Sequence, residues 1–355
     1  MQTEFLRGAV AALVLVWCVQ PACGQAGNPP LTLSQAVSIV SGSIDAHGPL
    51  SVGATWSDRK AHFDFLDAIM HVPPQITQHP LADPIRAQFI AALHLERLDR
   101  TIRQLKAVPF DLNEHFRLHK LYSSSWIIET PTSALAIDFC TGFFYLSGFQ
   151  GFRFDQIDAL ADRLDAYLIT HPHPDHYSPQ LIQAMLLRGK PVYVTDQMKT
   201  GAVVSGSTLG PLLSVATPGR SFGVGDIRFE AFLGHQYLGF LDPAQTIPDL
   251  SLPSVTNNVF LVQIHGQGII HAGDNNDVNV LPWLSSVVAS GRSVDIVLNT
   301  GPHASQFLAL TGAPRLFQSH DLEMTHLEPV FIDLNLPAAP DPLRTVLMWG
   351  EYYAF

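Results

Sequence analysis

The sequence predicts an α/β protein whose sheets are covered by helices, preceded by an N-terminal helical extension. Three observations carry this reading. The chain before residue 110 has helical apolar spacing, short apolar strands follow from Phe116, and helical runs then return between later strands.

The clearest early helix starts at Asp83-Pro84, an N-cap followed by proline in the first turn. It carries Ile85, Phe89, Leu93, Leu98, Ile102 and Leu105 along one stripe as far as Lys106. His62, His71, His79 and His94 fall in this part without ligand spacing and read as surface or core histidines. From Phe116 the period shortens. Phe116 to Tyr122, Trp126 to Glu129 and Ala134 to Phe139 read as strands separated by Ser-Ser-Ser and Pro-Thr-Ser turns. Further strands are expected at Ala166 to Ile169, Val192 to Val194, Ile227 to Leu233, Asn258 to Ile264, Gly268 to His271 and Asp295 to Leu298. Helices are expected at Pro179 to Leu187 and Val280 to Ser290. No short repeat and no low-complexity linker divides the chain. The expected organisation is a leader over 1–26, a helical extension over 27–112 and one main domain over 113–355.

Of 355 residues, 47% are hydrophobic, enough for a large buried core and against extensive disorder. Lys plus Arg number 20 against 31 Asp plus Glu, a net charge of −11 that would repel a phosphate backbone, so no nucleic-acid partner is expected. The N-terminus places Arg7 before an apolar run from Gly8 to Val19, with Pro21, Cys23 and Gly24 beyond it. That run is short for a membrane span and suits a signal peptide cleaved after Gly24 or Ala26, leaving a secreted or periplasmic chain without a transmembrane segment. A lipid anchor on Cys23 is the alternative. Cys18 and possibly Cys23 would leave with the leader, so Cys140 has no obvious partner and reads as a small core residue.

After the apolar strand Tyr167-Leu-Ile-Thr170 comes His171-Pro-His173-Pro-Asp175-His176: three imidazoles and a carboxylate within six residues of a loop. Imidazole nitrogen and carboxylate oxygen are ligands that zinc accepts, and Pro172 and Pro174 restrict the loop so that alternate side chains can point in different directions. Two metals could share such a loop.

His171-x-His173-x-Asp175-His176 resembles the His-x-His-x-Asp-His signature of the metallo-β-lactamase superfamily, and later landmarks follow in that family's order. Leu233-Gly234-His235 resembles its third metal-site histidine, Ile270-His-Ala-Gly-Asp274 its Gly-Asp motif, and Arg315-Leu-Phe-Gln-Ser-His320 its last strand and final histidine. Ala136-Ile-Asp138 resembles its supporting acidic element. The resemblance spans roughly Phe116 to His326 and implies a four-layer αββα sandwich with the site along one edge of the paired sheets.

Carried over by position, the resemblance implies that His171, His173 and His235 bind a first metal. Asp175, His176 and His320 would bind a second, and Asp274 would bridge them. The two divalent ions are expected to be zinc, with iron or manganese as alternatives. Asp277 competes for the bridging role, but Asp274 follows Gly273 directly and is preferred. His303, in a lactonase-like position, and His326 compete with His320. Asp138, His303, Glu323 and His326 are expected to stand behind the ligands or to face the substrate.

Such a centre implies an exported hydrolase that activates water at a dinuclear metal site, with Asp175 orienting the nucleophile and carrying its proton. The net positive pocket favours a small anionic or carbonyl-containing substrate: an ester, lactone, amide or phosphodiester. A β-lactamase and a non-catalytic ligand-binding member of the fold are the alternatives.

Overall fold

The computed structural model describes residues 32–46, 84–140, 153–173, 175–201, 209–237, 254–299, 303–319 and 343–355. The expected leader, His320, Glu323 and His326 lie outside these residues. Among the described residues no helix is long and apolar enough to cross a membrane.

Helix α1 spans Leu33–Asp45 and is started by a capping box, with the Thr32 hydroxyl accepting from the Gln35 amide while the Gln35 side chain accepts from the Thr32 amide. In helix α2, Pro84–Gln104, the expected stripe residues Leu93, Leu98 and Ile102 are buried. Its buried Arg97 donates from Nε to the Trp349 carbonyl at 2.7 Å and from Nη1 to Asp45 Oδ1 at 2.6 Å. One guanidinium thereby ties both early helices to the C-terminal segment, using charge-assisted bonds that a buried cation requires.

Two seven-stranded sheets form the centre. The first contains β1 Arg117–Lys120, β2 Trp126–Glu129, β3 Ala134–Ile137, β4 Ala166–Leu168, β5 Val192–Val194, β6 Ser214–Val215 and β14 Tyr352–Ala354, in the order β14-β1-β2-β3-β4-β5-β6. The second contains β7 Ser221–Val224, β8 Ile227–Tyr237, β9 Ser254–Ile264, β10 Gln267–His271, β11 Ile296–Asn299, β12 Arg315–Gln318 and β13 Arg344–Thr345, in the order β13-β12-β11-β10-β9-β8-β7. Each sheet joins antiparallel strands to parallel ones, at β3 in the first and at β10 in the second.

Period-two alternation sets the layers. Trp126, Ile128, Leu135, Ile137 and Leu168 turn inward and meet Phe229, Phe260, Val262, Ile269, Leu298 and Phe317 of the second sheet. Ile127, Ala136, Tyr167 and Val192 face outward under α2, α3 (Phe154–Arg163) and α4 (Pro179–Leu187). Val259, Leu261, Ile270 and Val297 face the other way under α6 (Val280–Ala289) and α7 (Ala304–Thr311), which follow the short α5 (Asp196–Thr200). The result is the expected αββα sandwich. Leu98 and Ile102 of α2, with Leu105 just after it, belong to the outer layer of the first sheet, so this helix of the extension shares that sheet's core.

Most expected strands occur within a residue or two of their reading. The exceptions are β8 and β9, which run on to Tyr237 and begin at Ser254, because they keep pairing past the buried sheet, through His235 opposite Thr256. The parallel strands β3, β4 and β10 end on one edge of the sandwich, where the Asn258 amide donates to the Thr170 carbonyl at 2.8 Å and joins the two sheets.

Candidate metal centre

Asp138 follows β3 with φ of 50°, a left-handed backbone that turns its buried carboxylate beneath the loop after β4. Its Oδ1 accepts from the Thr170 amide at 2.8 Å. Its Oδ2 accepts from Thr170 Oγ1 at 2.7 Å, His176 Nδ1 at 2.8 Å and His271 Nε2 at 2.8 Å. Burial alone would raise its pKa, but His176 and His271 hold the carboxyl well below the ordinary range, so it stays anionic.

The consequences pass outward. With its Nδ1 donating to Asp138, His176 directs Nε2 toward Asp175 Oδ2 and Asp274 Oδ1, each 3.2 Å away. Thr170 donates its hydroxyl proton to Asp138 and so accepts from His171 Nδ1 at 3.0 Å, which leaves the lone pair of His171 on Nε2. That Nε2 is buried, has no hydrogen-bond partner among the described residues, and lies 3.6 Å from Asp274 Oδ2. Burial, followed by the neighbouring His176, lowers the His171 pKa to about 3 and keeps the ring neutral, the form that binds a metal. Burial also disfavours charge on His176, but Asp274, Asp175 and Asp138 outweigh it and raise its pKa well above the ordinary value. These carboxylates attract positive charge to one point.

Asp274 is placed by the turn after β10. Gly273 has φ of 55°, and a Cβ there would lie 2.6 Å from both Thr170 Oγ1 and Asn257 Oδ1, so only glycine lets the two loops approach. Asn257 Oδ1 accepts the Asp274 amide at 3.1 Å, and Gln236 Nε2 donates to Asp274 Oδ2 at 3.0 Å. Two groups of ligating atoms result, each with its members within 4.8 Å of one another: His171, His173 and Asp274 in one, Asp175, His176 and Asp274 in the other. Asp274 is common to both. Imidazole nitrogens, carboxylate oxygens and a His171 Nε2 without a hydrogen-bond partner among the described residues form a donor set that fits divalent cations.

The remaining expected residues fall in different places. His235, at the half-buried end of β8, joins neither group, and its Nδ1 faces Asp277 Oδ2 at 3.1 Å. Asp277 itself is buried. His303 precedes α7, with Nδ1 held by Gln306 Oε1 at 2.8 Å and a buried Nε2 without a hydrogen-bond partner among the described residues, and it too stands outside both groups. Cys140 is buried, its sulfur accepting from Ser125 Oγ at 3.7 Å. His94 is a core histidine, its ring 5.1 Å from those of Tyr122 and Trp349. Sequence reasoning missed Thr170, Asn257 and His271. A threonine before the first histidine and a histidine in an apolar strand look like ordinary strand residues until Asp138 is seen to collect both.

Residues 117–286 match the model of the β-lactamase superfamily domain. No curated protein matches the chain. Among solved structures it is similar to Igni18, a metallo hydrolase from the archaeon Ignicoccus hospitalis, at 16% identity and a TM-score of 0.40 over 68% of this chain and 98% of that one. It is also similar to the metallo-β-lactamase fold protein YhfI from Bacillus subtilis, at 12% identity and a TM-score of 0.40 over 68% of this chain and 99% of that one. A third is CmlA, a diiron β-hydroxylase from Streptomyces venezuelae, at 16% identity and a TM-score of 0.43 over 62% of this chain and 49% of that one.

Proposed function

We propose that this chain, which carries a β-lactamase superfamily domain over residues 117–286, is an exported hydrolase that holds two divalent metal ions and cleaves a small ester, lactone, amide or phosphodiester. The observation that supports this most is the shared carboxylate of Asp274 between two clusters of ligating side chains. In this reading His171, His173 and His235 hold the first ion, and Asp175, His176 and His320 the second, with Asp274 between them. Zinc suits the donor set, and iron or manganese can use it too.

When bound, the ions supply Lewis acidity, lowering the pKa of water toward ~7 and polarising a carbonyl or phosphoryl oxygen. The protein's own residues then divide the remaining work. Asp138 fixes the ring orientation of His176 directly and that of His171 through Thr170, so both present Nε2. Asp175, 4% exposed with Oδ2 beside His176 Nε2, accepts the proton of the attacking water on a carboxylate oxygen and returns it to the leaving group. Gln236 holds Asp274 in the orientation in which its two oxygens face the two clusters.

The test is turnover by the purified mature chain on a panel of esters, lactones, amides and phosphodiesters, before and after chelation and after metal is restored. Metal-dependent turnover on one class supports the reading. Bound metal with no turnover on any class supports a ligand-binding member instead.

A further inference from the structure

We propose that Asp277 is a positioning residue for His235, locking its ring so that Nε2 is the nitrogen offered to the first metal. This rests on the reading that His235 is a ligand.

Asp277 competes in the sequence for the bridging role given to Asp274, three residues earlier, yet it is 5% exposed and its two oxygens do separate work. Oδ1 accepts from the Asn279 amide at 2.9 Å and from Asn279 Nδ2 at 2.7 Å, which closes the turn before α6. Oδ2 is left over from that turn and lies 3.1 Å from His235 Nδ1. A carboxylate accepts and cannot donate, so this contact requires the proton on Nδ1 and places the lone pair on Nε2. Free neutral imidazole favours the opposite tautomer, so Asp277 imposes a choice that the ring would not make alone.

The backbone of His235 is held by the same loop. Its amide donates to Asn275 Oδ1 at 3.2 Å, and its carbonyl accepts from the Asn276 amide at 3.1 Å. Gly234 makes this possible, because a Cβ at that position would lie 2.0 Å from Asn275 Oδ1. The segment that presents Asp274 therefore also grips His235 by main chain and ring, so a bridging ligand and a terminal ligand move as one piece. Helix-turn stability needs only Oδ1, and the contact from Oδ2 is the part that a purely structural role leaves unexplained.

The experiment measures zinc affinity by chelator competition for wild type and for Asp277→Ala, Asp277→Asn, His235→Ala and the His235→Ala/Asp277→Ala double variant, at matched circular dichroism. Long-range proton–nitrogen NMR reports the tautomer of His235. Asp277→Ala should weaken the first zinc 10- to 100-fold and move the proton of His235 from Nδ1 to Nε2. Asp277→Asn, which keeps one acceptor, should fall between, and it carries the test if the alanine variant does not fold. The double variant should be no weaker than His235→Ala alone. If His235→Ala weakens zinc and neither Asp277 variant does, or if the double variant is weaker than His235→Ala, the proposal is overturned while His235 remains a ligand. If His235→Ala binds zinc as wild type does, the ligand reading falls and takes the proposal with it.

Discussion

The two sides of the proposed metal centre are held in different ways. On the first-sheet side, His171 and His176 are fully buried and trace back to one carboxylate, Asp138, which orients both rings and is itself held by four hydrogen bonds. On the second-sheet side, His235 and Asp274 are partly exposed and are held by the side-chain amides of Asn257, Gln236 and Asn275 and by the carboxylate of Asp277. A buried carboxylate network tolerates little rearrangement, because losing one member strands the others in a low-dielectric interior. Contacts to the partly exposed His235 and Asp274 can be replaced by water at smaller cost. The first side is thus expected to be rigid before metal arrives, and the second to be the side where substitutions alter metal binding without unfolding the chain.

The sharpest contrast comes from the ligand that belongs to both clusters. Asp274→Ala should lower turnover on the order of 10³-fold, corresponding to several kcal/mol of lost transition-state charge stabilisation, while the fold is kept. Steady-state kinetics at matched circular dichroism checks this, and an unfolded variant would show that the second side is as integral to the core as the first.

Next comes Asp138→Ala, which leaves four buried donors facing no acceptor. It should cost about 3–5 kcal/mol in denaturant unfolding and weaken metal as well. A change below ~1 kcal/mol would remove the asymmetry between the sides.

Gly273→Ala tests the seam where the sides meet. A side chain there is strained by the positive φ and collides with Thr170 and Asn257, so about 1–3 kcal/mol of stability should be lost along with metal affinity. Thermal denaturation with and without zinc separates the two effects, and an unperturbed variant would show that the loops can move apart.

Near neutral pH the smallest effect lies away from both sides and serves as their reference. Burial lowers the pKa of His94 to about 3, whereas in the unfolded chain it titrates near its ordinary value of 6.5. Between those values the unfolded chain holds a proton that the folded chain does not, so this residue removes up to about 1.4 kcal/mol of stability per pH unit as pH falls from 6.5 toward 3. His94→Phe should flatten the acid limb of stability measured against pH and leave metal affinity unchanged.

Much of this arrangement is legible in the chain. The alternation at Trp126–Glu129 and Ala134–Ile137, the stripe of Leu98, Ile102 and Leu105, and the six-residue histidine loop each report a local rule, periodicity or ligand spacing. What escapes depends on distant partners. Strand β14 is three residues at the chain end that become a strand only by pairing with β1, more than 200 positions earlier. The capping box of Thr32 and Gln35 is written locally but passes as an ordinary polar pair. His271 looks like one more strand residue, and Asp277 like a rival for the bridging role of Asp274, until folding brings Asp138 and His235 within hydrogen-bond distance of them.

The central claim is that Asp274 joins two metal sites, and elemental analysis of the purified mature chain tests it most directly. The account predicts two equivalents of divalent metal per chain in the wild type and no more than one in Asp274→Ala at unchanged circular dichroism. Two equivalents retained in Asp274→Ala, or a wild-type chain that turns over substrate after complete removal of metal, would contradict it.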